Sequence, residues 1–240
     1  MKKIVFLTGA GISAESGVKT FRDSGGLWEG HNVMDVASPE GWRKNKKLVL
    51  DFYNQRRNQL DEVTPNIAHE MIAELEKAFK VTVITQNVDD LHERGGSTNV
   101  IHLHGELRKM CSSLNKEDTL PYTKDINVGD KHPDGSQLRP YIVWFGENVP
   151  MISVAAKIVS EADYVVVIGT SMNVYPAAGL IDYAKPDAHL FYVDPKPNLV
   201  DLIVIDRLTI IEKTATEGMK DIMKIITNLN NIESGPAFIG

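Results

Sequence analysis

The sequence predicts an α/β fold in which a doubly wound parallel sheet carries a smaller lobe built from two insertions. Three observations support this prediction. Short apolar runs rich in β-branched residues recur along the chain, for example at residues 3–8 and 164–169. Their continuous apolarity is typical of parallel strands that are covered on both faces. Amphipathic helical patterns separate these runs, and such alternation is typical of doubly wound sheets.

The predicted elements can be placed from these patterns. The strands are residues 3–8, 81–85, 100–104, 141–145, 164–169 and 189–194. The helices are residues 64–80, 151–162 and 215–229. In the first of these helices we expect Thr64 to be the N-cap and Pro65 to occupy the first helical position.

Two segments interrupt the alternation and are assigned to the smaller lobe. Residues 23–63 are mainly helical, and residues 108–139 are polar and rich in turn residues. The sheet domain is then predicted to contain the three remaining stretches, residues 1–22, 64–107 and 140–229. Residues 230–240 lack periodicity and are predicted to form a flexible tail.

Composition excludes several classes of protein. The 240 residues carry a formal net charge of −6, and no run of Lys or Arg is longer than a pair, so we expect neither nucleic acid nor an anionic membrane as a partner. No stretch approaches the roughly 20 apolar residues of a membrane span. Cys111 is the single cysteine, which excludes an internal disulfide framework. We expect a cytoplasmic monomer.

Glycine turns after two strands predict a Rossmann-like dinucleotide site. Gly9, Gly11 and Ala14 follow the first strand with the spacing G-x-G-x-x-G/A, and such glycines let backbone N–H groups approach a pyrophosphate. Gly169, Thr170 and Ser171 follow a later strand and either donate to the same ligand or form an ordinary turn. A hydride-transfer dehydrogenase is disfavoured, because it needs an early second strand and no second strand is predicted before residue 81.

Six motifs together resemble one family, the sirtuins, which are NAD-dependent protein-lysine deacylases. They occur in the family's order between residues 8 and 220, as GAGISAESGVKTFR, TQNVDDLHERGG, HLHGEL, LRPYIVWFGE, GTSMNVYPAAG and TATEGM. The resemblance implies that NAD is consumed as a co-substrate. The implied products are nicotinamide, free lysine and O-acyl-ADP-ribose.

The resemblance also assigns roles to individual residues. His104 is implied as the general base and Asn87 as a second catalytic residue, while Asp89 would hold the nicotinamide carboxamide. His102 is interpreted as structural, and Asp90 and His92 are given no role. The other implied NAD-binding residues are Gly9, Ala10, Gly11, Ile12, Glu15, Thr20, Phe21, Arg22, Trp28, Gln86, Asn87, Gly169, Thr170, Ser171, Asp194 and Ala215.

The acylated peptide has its own predicted contacts. By resemblance, the peptide pairs edge-on with a short segment and also touches one later residue; these residues are Val143, Trp144, Phe145, Gly146, Glu147 and Val174. Tyr53 and Arg56 lie three apart, on one helix face. Alone they suggest only an amphipathic helix, but in a sirtuin this pair marks the branch that removes succinyl and malonyl groups. Ala37 takes the place of that branch's small pocket residue, so we predict a preference for these acyl groups over acetyl.

The smaller lobe departs from the sirtuin pattern. Most sirtuins hold a structural zinc with two Cys-x-x-Cys pairs, whereas here Leu114 stands where the partner of Cys111 is expected and residues 128–140 contain no cysteine. Asp130, His132 and Asp134 are conceivable substitutes, but their spacing matches no standard site. We therefore predict that no zinc is bound.

Two other functions stay open. The chain is alternatively an NAD-dependent ADP-ribosyltransferase, in which a protein nucleophile replaces the acyl amide, or a non-catalytic NAD sensor. Tyr53 and Arg56 argue against the first alternative. The presence of both His104 and Asn87 argues against the second.

Overall fold

The structure of the protein, a computed structural model, describes residues 1–19, 27–28, 30–171, 174–197 and 207–233. The strands in this part of the chain are β1 (Lys3–Thr8), β2 (Leu27–Trp28), β3 (His31–Asn32), β4 (Lys80–Thr85), β5 (Val100–His102), β6 (Gly105–Ser112), β7 (Thr119–Pro121), β8 (Leu138–Ile142), β9 (Tyr164–Ile168), β10 (His189–Val193) and β11 (Leu208–Ile211). The α-helices are α1 (Ala10–Ala14), α2 (Val33–Val36), α3 (Pro39–Lys44), α4 (Lys46–Gln59), α5 (Ile67–Glu74), α6 (Leu91–Arg94), α7 (Ile152–Ser160) and α8 (Ala215–Glu233).

The main sheet has six parallel strands in the order β11-β10-β9-β1-β4-β5. The strand β1 is central, and its Ile4 pairs with Val81 on one side and with Tyr164 on the other. From β1 the chain builds one side of the sheet first and then crosses to the other side. This reversal opens a crevice at the carboxyl ends of the strands, where open α/β sheets bind ligands.

Helices cover both faces of this sheet, which confirms the predicted fold class. Around Phe6 and Val166, a fully buried cluster joins the sheet to α1, α5 and α8. On the opposite face, Val165 and Val167 pack with α7 and with a 3-10 helix, Ala177–Tyr183. Because consecutive residues of β9 are buried on opposite faces, the strand is apolar throughout.

The smaller lobe combines helices α2 to α4 with an antiparallel sheet of order β7-β6-β8. Its core contains Trp42, Phe52, Tyr53 and Trp144. Two side chains of α4 also bind this sheet and its loops: the amide of Asn54 exchanges two 2.9 Å hydrogen bonds with the backbone of Ile126, and Arg57 Nε donates to the Leu107 oxygen at 2.8 Å.

The prediction of a strand at residues 141–145 of the parallel sheet is wrong. That segment instead begins within β8, which is antiparallel to β6 and ends at Ile142. Pro140 lies within β8, and proline is tolerated there because β8 is an edge strand. Both β6 and β8 run across the lobe boundaries expected at 107/108 and 139/140.

Three local predictions also change. The N-cap of α5 is Asn66, not Thr64: its side chain accepts from the Ala68 N–H, and His69 accepts from the Asn66 N–H in a capping box. Pro65 therefore lies outside the helix. Helix α8 continues to Glu233, so residues 230–233 of the expected tail are helical. Two further strands, β2 and β3, lie between β1 and β4, but they pair with each other and not with the main sheet.

The residues that were considered as zinc ligands make other contacts in the structure. Cys111 is buried with its Sγ 3.9 Å from the Pro140 oxygen, while the side chain at Leu114 is 83% exposed. Ser112 donates to Asp134, whose other oxygen is 3.3 Å from His132 Nδ1. Across the described ranges, no three His, Cys, Asp or Glu side chains converge as metal ligands.

Among the helices that the structure describes, none combines the length and the apolarity needed to cross a bilayer.

Candidate active site

A cleft of about 750 Å³ lies between the carboxyl edge of the main sheet and the smaller lobe. Four strands of the sheet deliver residues to it: Gly9 follows β1, Gln86 follows β4, Gly169 follows β9 and Asp194 follows β10. The smaller lobe closes the opposite side with one face of α4. The position agrees with the crevice that the strand order creates.

Nearly all of the predicted site residues meet in this cleft. Of the predicted residues that the structure describes, every one except Ile12 lines it. Ile12 is fully buried in the sheet core, so its side chain has a packing role. Thr20, Phe21 and Arg22 lie outside the described residues.

The two glycine turns pack directly against each other. Gly9 N–H donates to the Ile168 oxygen at 3.2 Å, and Gly11 N–H donates to the Gly169 oxygen at 2.8 Å. These two N–H groups therefore join the turns after two adjacent strands. This differs from the expectation that the glycine N–H groups approach a pyrophosphate. A Cβ on Gly11 would lie 2.6 Å from the Gly169 Cα, so the contact requires glycine.

A buried polar network occupies the floor of the cleft. The amide of Asn87 donates to the Gly9 oxygen at 3.2 Å and to Ser13 Oγ at 3.1 Å. Ser13 in turn donates to Asp89 at 2.9 Å, and the Leu91 N–H donates to the other Asp89 oxygen at 3.2 Å. Burial raises the pKa of Asp89, against the opposing effect of these hydrogen bonds. Ser13 was missed by sequence reasoning, since a serine on a short helix carries no local signal of such a contact.

The imidazole of His104 is oriented by the backbone. Its Nδ1 lies 3.1 Å from the Gln86 oxygen, which can only accept, so Nδ1 carries the proton. The other ring nitrogen, Nε2, then holds the lone pair. Burial lowers the pKa of His104, partly opposed by this hydrogen bond. The neutral form, which can accept a proton, is therefore favoured.

One end of the cleft has an aromatic wall. Trp28 packs edge-on against Phe52, with ring centroids 4.9 Å apart, and Phe52 packs edge-on against Tyr53 at 5.1 Å. The Arg56 guanidinium lies 4.7 Å from the Phe52 ring centre. Trp144 Nε1–H donates to the Tyr53 hydroxyl oxygen at 3.1 Å. Because that oxygen already accepts, the hydroxyl proton can be donated into the cleft.

The segment predicted to bind the peptide is a braced loop after β8. Val143 N–H donates to the His104 oxygen at 2.9 Å, and Phe145 N–H donates to the Ala37 oxygen at 3.0 Å. Glu147 accepts from the Trp144 N–H at 2.9 Å and pairs with Arg139 at 3.3 Å. The Glu147 carboxylate thus stabilises the loop.

Several residues of the cleft were not predicted. The polar ones are Lys19, Gln59, Lys196 and Thr214. Lys19 and Thr214 lie within quoted motifs but were given no role there, whereas Gln59 and Lys196 lie outside them. The four come together because the fold joins chain segments that are far apart in sequence. Glu15, which was predicted, also has a structural contact, because its carboxylate accepts two hydrogen bonds from Thr216 at the start of α8.

Comparison with known proteins identifies the family. The sequence profile of the Sir2 family matches residues 9–176. The chain belongs to the Sir2 family. The sirtuin resemblance of the motifs is thereby confirmed, and this Sir2 chain can be compared with curated relatives and solved structures along nearly its whole length.

Two curated relatives that match nearly the whole chain have the same name. A Helicobacter pylori protein named NAD-dependent protein deacylase is 54% identical over 223 residues, covering 93% of this chain and 94% of its own. A Bacteroides thetaiotaomicron protein of the same name is 52% identical over 232 residues, covering 94% and 98%.

Solved Sir2 structures share the fold. A Sir2 homologue in complex with NAD has a TM-score of 0.83 and 35% identity, covering 96% of this chain and 91% of its own. A complex of Sir2 with a p53 peptide and NAD⁺ has a TM-score of 0.74 and 29% identity, covering 94% and 93%.

Proposed function

We propose that this Sir2-family enzyme is an NAD-dependent protein-lysine deacylase that removes succinyl and malonyl groups in preference to acetyl groups. The general activity is supported by relatives of that name at more than 50% identity. The acyl preference is supported by one observation above all: Tyr53 and Arg56 line the same cleft as His104.

The cleft residues suit the binding of NAD. Bound NAD supplies a ribose carbon from which nicotinamide can leave. Asp89 and Asn87 are buried at the base of the cleft, where the Asp89 carboxylate can accept from an amide. The Asn87 amide nitrogen already donates both of its protons to Gly9 and Ser13, and its Oδ1 can accept from a ribose hydroxyl. His104, with its proton on Nδ1, can take a proton at Nε2 from a hydroxyl placed in the cleft.

The end of the cleft at α4 suits a negatively charged acyl group. Arg56 offers a planar guanidinium, which can bind a carboxylate with two hydrogen bonds. Burial raises the pKa of Tyr53 further above neutrality, so its hydroxyl stays a donor at any working pH. Ala37, which also lines the cleft, leaves space beside them. The neighbouring Arg57 cannot serve, because it is fully buried and donates to Leu107 and Asn54.

Replacement of Arg56 by Met tests the acyl preference. A hydrogen bond to a charged group contributes about 1.5–3 kcal/mol, so kcat/KM for a succinyl-lysine peptide should fall about ten- to hundredfold. The value for the acetyl peptide should change much less. The assay is mass spectrometry of both peptides with NAD, and Arg43→Met, an exposed arginine outside the cleft, is the control.

Three results would contradict the proposal. An unchanged succinyl-to-acetyl ratio in Arg56→Met would remove the acyl assignment. ADP-ribose attached to protein without deacylation would indicate a transferase. NAD left intact in the presence of every acyl peptide would indicate a sensor.

A further inference from the structure

The side chain of His102 lies between two groups that accept hydrogen bonds. Its Nδ1 is 3.0 Å from the backbone oxygen of Asn87, and its Nε2 is 2.8 Å from Oε1 of Glu93. A carbonyl oxygen has no proton to donate, and an ionised carboxylate has none either. Only the imidazolium carries an N–H on both nitrogens. The arrangement is therefore fully satisfied when His102 is protonated.

The surroundings of the ring favour this protonated state. The charged and titratable groups that act on it are Glu93 and His92 on α6, Glu106 on β6, and Asp89 just before α6. Lys109 on β6 acts on Glu93. The His102 side chain is 7% exposed, and burial alone would lower its pKa. The pKa is nevertheless raised above its usual value. The causes are the hydrogen bond and the charge of Glu93, the hydrogen bond to the Asn87 oxygen, and the charge of Glu106.

Glu93 is correspondingly held as a carboxylate. Burial raises its pKa, but the hydrogen bond and the charge of His102 outweigh burial and lower it overall. The surroundings thus favour a cation paired with an anion, and the hydrogen bond between them is then charge-assisted.

The carbonyl that His102 holds belongs to the loop on the floor of the cleft. The Asn87 side chain donates within this floor, and the preceding carbonyl, that of Gln86, is held by His104. Two imidazoles therefore fix consecutive carbonyls of one loop. His104 does so with one N–H, and its other nitrogen is the proposed base. His102 uses both of its N–H groups.

We propose that His102 is a positioning residue for NAD. As an imidazolium braced by Glu93, it fixes the backbone at Asn87, so that the side chains of Asn87 and Asp89 meet the nicotinamide ribose and carboxamide. Loss of its proton at alkaline pH removes one of the two hydrogen bonds and loosens the loop. This inference rests on the proposed NAD-dependent function.

Replacement of Glu93 by Gln separates charge from geometry. The amide oxygen can still accept from Nε2, but the negative charge that stabilises the imidazolium is gone. We expect His102 to lose its proton at lower pH than in the wild type. The alkaline decline in NAD affinity should begin at correspondingly lower pH. At pH values where His102 has lost its proton in the variant but keeps it in the wild type, NAD should bind about tenfold more weakly to the variant. This is the effect of losing one hydrogen bond to a charged group.

Two measurements on the folded protein follow these changes. Imidazole nitrogen NMR of the histidine-labelled protein without NAD reports the titration of His102, and calorimetry across the pH range reports NAD affinity. Glu106→Gln is the matched control, because Glu106 faces the ring without a hydrogen bond to it, so its removal should shift both curves less. Thermal unfolding verifies that each variant is folded.

The outcomes are distinct. A neutral His102 at pH 7 in the wild type would overturn the inference. So would a Glu93→Gln variant in which His102 titrates at lower pH while the pH dependence of NAD affinity is unchanged, since His102 would then be only structural. If both curves move together but no acyl peptide is turned over, the inference stands and the proposed deacylation fails.

Discussion

At the scale of single residues, the protonation of the two histidines beside β5 is set by what their ring nitrogens meet. His104 has one backbone acceptor, which its Nδ1 meets, and its Nε2 is the proposed base. His102, two positions earlier, has an acceptor on each side. The surroundings thus favour the neutral ring at His104 and the protonated ring at His102.

The lowered pKa of His104 predicts the acid side of the pH profile. Below its folded pKa the ring is protonated on both nitrogens and cannot act as a base, so activity is lost as pH falls through that value. Because burial moves the pKa below 6.5, the acid inflection of kcat/KM should lie below pH 6.5.

An acetyl-lysine peptide is the appropriate substrate for this profile, since a succinyl carboxylate itself titrates in the acid range. Tryptophan fluorescence at each pH shows whether the protein is still folded. An acid inflection above pH 6.5 would assign the base to a different group.

At the scale of elements, α4 connects the cleft to the antiparallel sheet and loops of the smaller lobe. Asn54 is buried, and its amide makes both a donated and an accepted bond with Ile126 and accepts from Arg57 at 2.8 Å. Asn58, one turn later, is exposed and donates to Asp125 at 3.2 Å. The two asparagines reach the same loop with different degrees of burial.

Replacement of Asn54 by Ala should lower the free energy of unfolding by about 3–5 kcal/mol, because three buried partners lose their hydrogen bonds. Asn58→Ala is the matched control and should change it by less than about 0.5 kcal/mol. Urea unfolding at pH 7.5 measures both. Equal effects of the two substitutions would show that the buried bonds contribute nothing beyond the exposed one.

The sequence predicts some elements better than others for a physical reason. The strands β1, β4 and β9 are covered on both faces, so their continuous apolarity identifies them. The apolar run near residue 141 looks the same, but its partner β6 is antiparallel. Its strand direction is decided by pairing with Gly105 and Glu106, about 35 positions earlier in the chain. A local pattern does not contain that information.

The same limit applies to side chains in the site. Glycine spacing and the His-Gly-Glu motif are local, so Gly11 and His104 could be found from the sequence. Asp90 was given no role, yet it accepts from Arg94 at 3.4 Å and from Arg108 at 3.3 Å. These arginines come from two different elements. Only the folded chain shows that Asp90 ties the cleft loop to β6.

At the scale of the whole molecule, two buried histidines make stability depend on pH. The rings of His69 and His92 are 4.9 Å apart, and burial lowers the pKa of His69 to about 4 and that of His92 well below 6.5. Between pH 6.5 and 4 the unfolded chain binds protons that the folded protein does not. The free energy of unfolding therefore decreases as the pH is lowered from 6.5 to 4, by about 3 kcal/mol for His69 alone.

His102 acts in the opposite sense, since a raised pKa stabilises the fold below pH 6.5 and its contribution is lost as pH rises through the folded pKa. His102 therefore does not cause the decrease in the free energy of unfolding at acid pH.

Urea unfolding between pH 4.5 and 7.5 measures this decline, and His69→Gln tests its origin. Glutamine can keep the capping bond to the Asn66 N–H, so stability at neutral pH should change little. The slope below pH 6.5 should become shallower. Parallel curves for the variant and the wild type would rule out His69 as a source.

The contact between Gly11 and Gly169 has a consequence for how such a protein can change. Each residue occupies the space that a methyl group on the other would need, so neither position can accept a side chain while the two strand ends stay joined. Evolution or design that seeks a different dinucleotide cannot begin at this crossing. Substitutions have to be made at other residues that line the cleft, where single changes leave the contact between the two glycine turns intact.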